Sequence, residues 1–191
     1  MRSPVLLTLL PFALCALACG QRSGPAVNLF GGYSFTTDFG PGYGTSANEN
    51  AWTAAFEADS SRWVGFKADF AQYHATYNYG GGVAPNYSTT YTYLFGPTVR
   101  LTRSLDARVA PFGEFLLGGG TLNSHPNLIF TPSTSFMWAA GGGADIRITR
   151  RLALRGEVDA LHSQFTSYDD QMQPSVQNLR PRVVTGIVYR F

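Results

Sequence analysis

The stretch Leu179-Arg180-Pro181-Arg182-Val183-Val184-Thr185-Gly186-Ile187-Val188-Tyr189-Arg190-Phe191 decides the fold. Read with a period of two, Leu179, Pro181, Val183, Thr185, Ile187, Tyr189 and Phe191 share one face. Arg180, Arg182, Val184, Gly186, Val188 and Arg190 share the other. A β-strand sends successive side chains to opposite faces. As a strand, this segment is therefore apolar and aromatic on one side and carries three arginines on the other. A helical period of 3.6 would mix the two sets.

Working upstream, the alternation recurs. Leu152, Leu154, Val158 and Ala160 oppose Arg155, Glu157 and Asp159. Phe136, Trp138, Ala140, Ala144, Ile146 and Ile148 oppose Asp145 and Arg147. Tyr91, Tyr93, Phe95, Val99 and Leu101 oppose Thr90, Thr92, Thr98 and Arg100, and Val64, Phe66, Ala68 and Phe70 oppose Lys67 and Asp69. Eight strands are expected, over 27–36, 51–59, 62–74, 87–102, 106–119, 134–149, 151–164 and 179–191.

A soluble sandwich also alternates. Three features favour a membrane barrel instead. The apolar faces are continuous and end in aromatics, as lipid-facing bands do. The opposite faces carry charges of both signs, as a filled polar lumen needs. The connections also alternate in length. Ser60-Ser61, Thr102 to Leu105 and Thr149-Arg150 are short, whereas 37–50, 75–86, 120–133 and 165–178 are long and polar. Outer-membrane barrels pair short periplasmic turns with long extracellular loops. An even strand number then places both termini in the periplasm.

Composition agrees with this reading. Charged residues are 14% and aromatics 14% of 191 residues, against roughly 25% charged in soluble domains. A formal net charge of +2 with no basic run gives no reason to expect a nucleic-acid partner. Residues 1–20 read as a signal peptide. Arg2 precedes the apolar run from Val5 to Leu17, and the small residues Ala16, Ala18 and Gly20 offer cleavage after Ala18 or Gly20. Ala16-Leu17-Ala18-Cys19 also loosely resembles a lipoprotein box, in which Cys19 would carry lipid. Cys15 and Cys19 both lie here, so cleavage after Gly20 leaves no cysteine for a disulfide. Residues 21–191 form the barrel domain. No apolar run after Gly20 is long enough for a spanning helix.

From about Val27 to Phe191 the chain resembles the eight-stranded outer-membrane barrels typified by the OmpA-like and OmpX-like proteins. The resemblance is clearest over Ala51 to Phe70, Gly141 to His162 and Val183 to Phe191. It implies an all-β, eight-stranded antiparallel transmembrane up-and-down barrel behind a cleaved signal peptide. It further implies that Gly186, Tyr189 and Phe191 form the sorting signal read by the barrel-assembly machinery, with Val184 where the family usually has a polar residue. Chains of this family sometimes continue into a peptidoglycan-binding domain. This one stops at Phe191, so no residues are expected to carry that function.

An eight-stranded barrel is just filled by its side chains. The charges expected inside are Glu57, Lys67, Asp69, Arg100, Arg108, Glu114, Asp145, Arg147, Arg155, Glu157, Asp159, Arg182 and Arg190. Buried charges need partners, so a salt-bridged plug is expected in preference to a gated path for ions. A lipid A deacylase would need His and Ser on one strand face, and His162-Ser163 are adjacent. Glu157 and Asp159 share a face as a hydrolytic pair would, with Arg155 and Arg147 at hand to neutralise them. His74, His125 and His162 fall at or beyond strand ends without the spacing of a metal site. The glycine triplets at 80–82, 118–120 and 141–143 precede no helix, so no phosphate loop is expected. Tyr73, Tyr77, Tyr79, Tyr87, Tyr91 and Tyr93 read as an interfacial aromatic girdle, or as an adhesive surface. No catalytic residue, cofactor or metal is expected. The expected role is structural or surface-interacting, through four loops of unassigned ligand, with outer-membrane lipid and the assembly machinery as partners. The alternatives are a small-solute pore and a lipocalin-like carrier, which would need an apolar lumen.

Overall fold

Period-two alternation builds strands, and in a membrane every strand edge must be paired. The computed structural model shows that closure. It describes residues 26–37, 48–61, 63–77, 86–102, 107–125, 133–164, 166–168, 174–176 and 179–191. The signal peptide expected over 1–20 lies outside them.

The strands are β1 (Ala26–Thr37), β2 (Asn48–Asp59), β3 (Val64–Tyr77), β4 (Asn86–Arg100), β5 (Val109–His125), β6 (Ser133–Arg147), β7 (Leu152–Ser163), β8 (Thr166–Tyr168), β9 (Pro174–Val176) and β10 (Arg180–Arg190). Eight of them close an antiparallel barrel in the order β1-β10-β7-β6-β5-β4-β3-β2. The seam joins the ends of the chain, with Asn28 opposite Arg190, Gly32 opposite Gly186 and Thr36 opposite Arg182. The eight-stranded antiparallel barrel read from the sequence is therefore present.

Local chemistry explains the short turns. The Ser61 hydroxyl accepts the backbone N–H groups of Trp63 at 3.3 Å and Val64 at 3.1 Å. The Thr149 hydroxyl does the same for Arg151 at 3.2 Å and Leu152 at 3.0 Å. Such side-chain bonds substitute for ladder hydrogen bonds where the chain reverses.

Strand lengths depart from expectation toward the long-loop end. β2 begins at Asn48, β3 runs on to Tyr77 and β5 to His125. Part of each expected loop is thus paired strand. These extensions contain Asn, Ser, Thr and Gly, which lack the apolar alternation that marks a strand in lipid, although ladder hydrogen bonding tolerates them. The connection expected over 165–178 also holds a small ladder, β8 with β9.

The outer face is apolar. Trp52, Phe66, Phe95, Phe115, Ile146, Val158 and Ile187 are all exposed, while their sequence neighbours are buried or half-buried. At the long-loop edge of this band, Trp52 Nε1 donates to Gln72 at 2.9 Å and the Gln72 amide donates to the Tyr91 hydroxyl at 3.3 Å. At the other edge Tyr189 and Phe191 meet edge-on, their centroids 4.9 Å apart. Amphipathic aromatics at both margins are the pattern of a membrane barrel.

So much contiguous apolar surface is incompatible with free solution. The protein is expected to extract from membranes only with detergent and to migrate differently on gels before and after boiling. A stable monomer in a detergent-free soluble fraction would contradict this.

Candidate functional site: an ion-paired lumen

The inward face is set by parity. On β7 the alternation buries Arg155, Glu157 and Asp159 and exposes Leu154 and Val158. The same rule turns Glu57 and Asp59 inward from β2, Lys67 and Asp69 from β3, Arg100 from β4, Glu114 from β5, Asp145 from β6, and Arg182 from β10.

These side chains converge in two linked clusters. Nearer the short turns, Arg155 Nε donates to Asp145 at 2.7 Å, and its terminal nitrogens donate to Glu57 and Asp145. Its guanidinium lies 4.5 Å from the Phe112 ring centroid and 5.5 Å from that of Phe30. Arg100 reaches Asp59 at 3.1 Å, Glu57 at 3.3 Å and Asp145 at 3.4 Å. Arg190, half-exposed at the mouth, donates to Asp145 at 3.0 Å.

Toward the long loops, Lys67 Nζ donates to Glu157 at 2.7 Å and to both oxygens of Glu114 at 2.9 and 3.1 Å. Arg182 donates to Asp159 at 2.7 Å, Asp69 at 3.1 Å and Glu157 at 3.3 Å. Lys67 and Arg182 are both wholly buried. Glu114, Glu157 and Asp159 each bring one ligating oxygen within 4.8 Å of the others. The Lys67 ammonium and the Arg182 guanidinium are the cations bonded there. Above these pairs the wall turns apolar, where Tyr73, Leu94, Leu116, Met137 and Leu161 pack in one cluster.

Small residues let the two strands of the seam approach closely beside the Phe30 ring. Gly32 and Gly186 face each other across the seam. A Cβ on Gly186 would lie 2.4 Å from the Gly31 carbonyl oxygen, 2.5 Å from Gly32 Cα and 2.8 Å from the Phe30 ring. Two of those neighbours are backbone and cannot yield. Gly186→Val is expected to destabilise the refolded barrel by about 1–3 kcal/mol through overpacking, read from urea unfolding in detergent. An unchanged midpoint would show that the seam has slack.

Several expected residues sit elsewhere. Arg108 is exposed before β5 begins and takes no part in the lumen ion pairs. The strand expected from 106 starts at Val109, so alternation does not yet govern Arg108. Arg147, the last residue of β6, is half-exposed at the same rim. Tyr73 is not in the outer girdle. It is buried in the lumen, its hydroxyl 3.0 Å from that of Ser34, because it shares parity with Lys67 and Asp69. Tyr91 and Tyr93 do face outward, and the side chains of Tyr77, Tyr79 and Tyr87 lie outside the described residues. Of the histidine positions, 125 is the last of β5 and 162 the last but one of β7, at the strand ends as expected, whereas 74 lies three residues short of the end of β3. His162 stacks outward on Trp138 with centroids 5.4 Å apart, whereas Ser163 is buried in the lumen. The adjacent pair therefore diverges across the wall.

Two lumen acids escaped the sequence reading. Asp59 pairs with Arg100 and shares parity with Glu57, a signal that was available. Glu49 is also buried. It is in phase with Glu57 only because β2 begins at Asn48.

The chain matches the model of the outer membrane protein beta-barrel domain over residues 5–191. No curated protein matches it. Among solved structures, Ail, the attachment invasion locus protein of Yersinia pestis, in complex with the heparin analogue sucrose octasulfate, is similar at 16% identity. That match covers 87% of this chain and 99% of Ail, with a TM-score of 0.56. Neisserial surface protein A shares 15% identity over 88% of this chain and 98% of that one, with a TM-score of 0.56. OprG of Pseudomonas aeruginosa shares 13% over 87% and 96%, with a TM-score of 0.54. At these identities the likeness is one of fold.

Proposed function

Because this chain belongs to the outer membrane protein beta-barrel domain family, we propose that it serves the bacterial outer membrane as a non-enzymatic structural and surface-interaction protein. Both termini are periplasmic and the four long loops face outward. The observation that carries this reading is the closed lumen. Lys67, Asp69, Glu114, Glu157, Asp159 and Arg182 interlock across the barrel with 0% side-chain exposure. Every carboxylate in that set has a cationic partner, which argues for a plug that braces the wall. A hydrolytic role for Glu157 and Asp159 is disfavoured because Lys67 and Arg182 already engage them.

Surface interaction falls to the loops. The connections expected over 37–50, 75–86, 120–133 and 165–178 contain no Lys or Arg, but they do contain Asp38, Asp169 and Asp170, besides Glu49, which is buried. The Ail complex holds a sulfated sugar. A polyanion of that kind would find no counter-charge in these loops, so an uncharged or aromatic-binding partner suits them better. The barrel-assembly machinery is the second partner, reading Gly186, Tyr189 and Phe191. Phe191 is 73% exposed and contributes little packing, which suits a recognition role.

A plug predicts an insulator. The purified protein in planar bilayers is expected to show no discrete conductance steps. Stable steps that persist in the native protein would favour the small-solute pore instead.

A further inference from the structure

The two rims of the barrel differ in charge. The three short connections, over 60–63, 101–108 and 148–151, carry Arg62, Arg103, Arg108, Arg150 and Arg151 against the single acid Asp106. None of the long connections carries Lys or Arg, and two of the four carry acids, Asp38 in one and Asp169 and Asp170 in the other, beside the buried Glu49. Among the described residues of the short-turn rim, Arg108, Arg150 and Arg151 are exposed and form no ion pair with another described residue. Asp59 and Asp145, at the short-turn ends of β2 and β6, are buried and already engaged by Arg100, Arg155 and Arg190.

The backbone gathers these arginines into one arc. Arg147 N–H donates to the Arg108 carbonyl at 2.8 Å, and Arg190 N–H donates to the Arg151 carbonyl at 2.8 Å. The arc lies directly against the end of the apolar band, where Ile148 is 64% and Phe191 73% exposed. Apolar side chains in the hydrocarbon with guanidinium groups one or two residues beyond, as Arg150 follows Ile148 and Arg151 precedes Leu152, reproduce the order of a lipid leaflet, from acyl chain to phosphate. Guanidinium pairs with phosphate through charge-assisted bonds.

We propose that Arg108, Arg150 and Arg151 form an anionic-phospholipid docking rim that binds the headgroup phosphates of the leaflet meeting the short turns. This rests on the membrane reading above. The rim holds the barrel at a defined depth and favours the orientation in which the acidic loops face away from that leaflet.

The test is equilibrium folding into vesicles of phosphatidylcholine alone and of phosphatidylcholine mixed with phosphatidylglycerol, at low and high salt. Each arginine near an anionic surface contributes roughly fivefold, so three give about a hundredfold in the folding constant. The native protein is expected to show that gain at low salt and lose most of it at high salt. The triple variant Arg108→Gln, Arg150→Gln, Arg151→Gln is expected to match the native protein in phosphatidylcholine and to lose the gain in the mixture. An undiminished gain in the triple variant, or one insensitive to salt, overturns the rim. If inorganic phosphate added to phosphatidylcholine vesicles reproduced the gain at matched ionic strength, the ligand would be soluble phosphate and the lipid assignment would fall. Failure of the native protein to fold into either vesicle would overturn the membrane reading itself, a separate result.

Discussion

Replacing Arg182 with Met is expected to destabilise the refolded barrel by about 3–5 kcal/mol, the cost of breaking a buried pair from one side. Arg182 bonds Asp159, Asp69 and Glu157 and lies 3.8 Å from Glu114. Its loss leaves Lys67 alone among four buried carboxylates. Met fills similar volume, so the effect reports charge more than cavity. Adding Asp159→Asn should recover part of the loss, since it removes an uncompensated charge from the same site. The two changes should then be strongly non-additive. Urea titration in lipid vesicles reads both. If the single variant matched the native protein, water or ions would have to solvate the lumen, and the plug would be lost as an explanation.

The second large effect is expected at Arg155. Changing it to Leu strips Glu57 and Asp145 of the nearer of the two arginines they share and leaves Arg100 and Arg190 to balance Glu57, Asp59 and Asp145. A loss of roughly 3–5 kcal/mol is again expected, together with the loss of the contacts to Phe112 and Phe30. Its neighbour supplies the control. Leu154 is exposed on the outer face, where lipid accepts one aliphatic chain as readily as another, so Leu154→Ile should change little. The opposite ranking would mean that β7 is turned over by one residue.

Much of this was legible because period two is a local property. The alternation around Arg155, Glu157 and Asp159 requires only that the segment be extended, and one wet-or-ionic face opposite one apolar face leaves a single orientation for each side chain. Tyr73 shows how a residue-type prior can mislead. A tyrosine near a strand end resembles a girdle residue, yet its parity with Lys67 places it inside. Arg108 shows the converse limit. Parity has no meaning until pairing starts, and pairing starts at Val109.

From the sequence alone came the strand character, the face taken by the charges well inside the paired strands and the alternation of short and long connections, because all three depend on neighbours along the chain. Which charges meet was decided by tertiary structure. Lys67 contacts Glu157, 90 residues away, and Arg182 contacts Asp69, 113 residues away. Those meetings depend on the register of every ladder between them and on closure of β1 against β10. The strand extension that turns Glu49 inward depends likewise on β2 pairing with β1 beyond the apolar band, with Thr36 opposite Glu49. Backbone hydrogen bonding there carries no signature in side-chain polarity, so the end of the strand could be found only in the folded barrel.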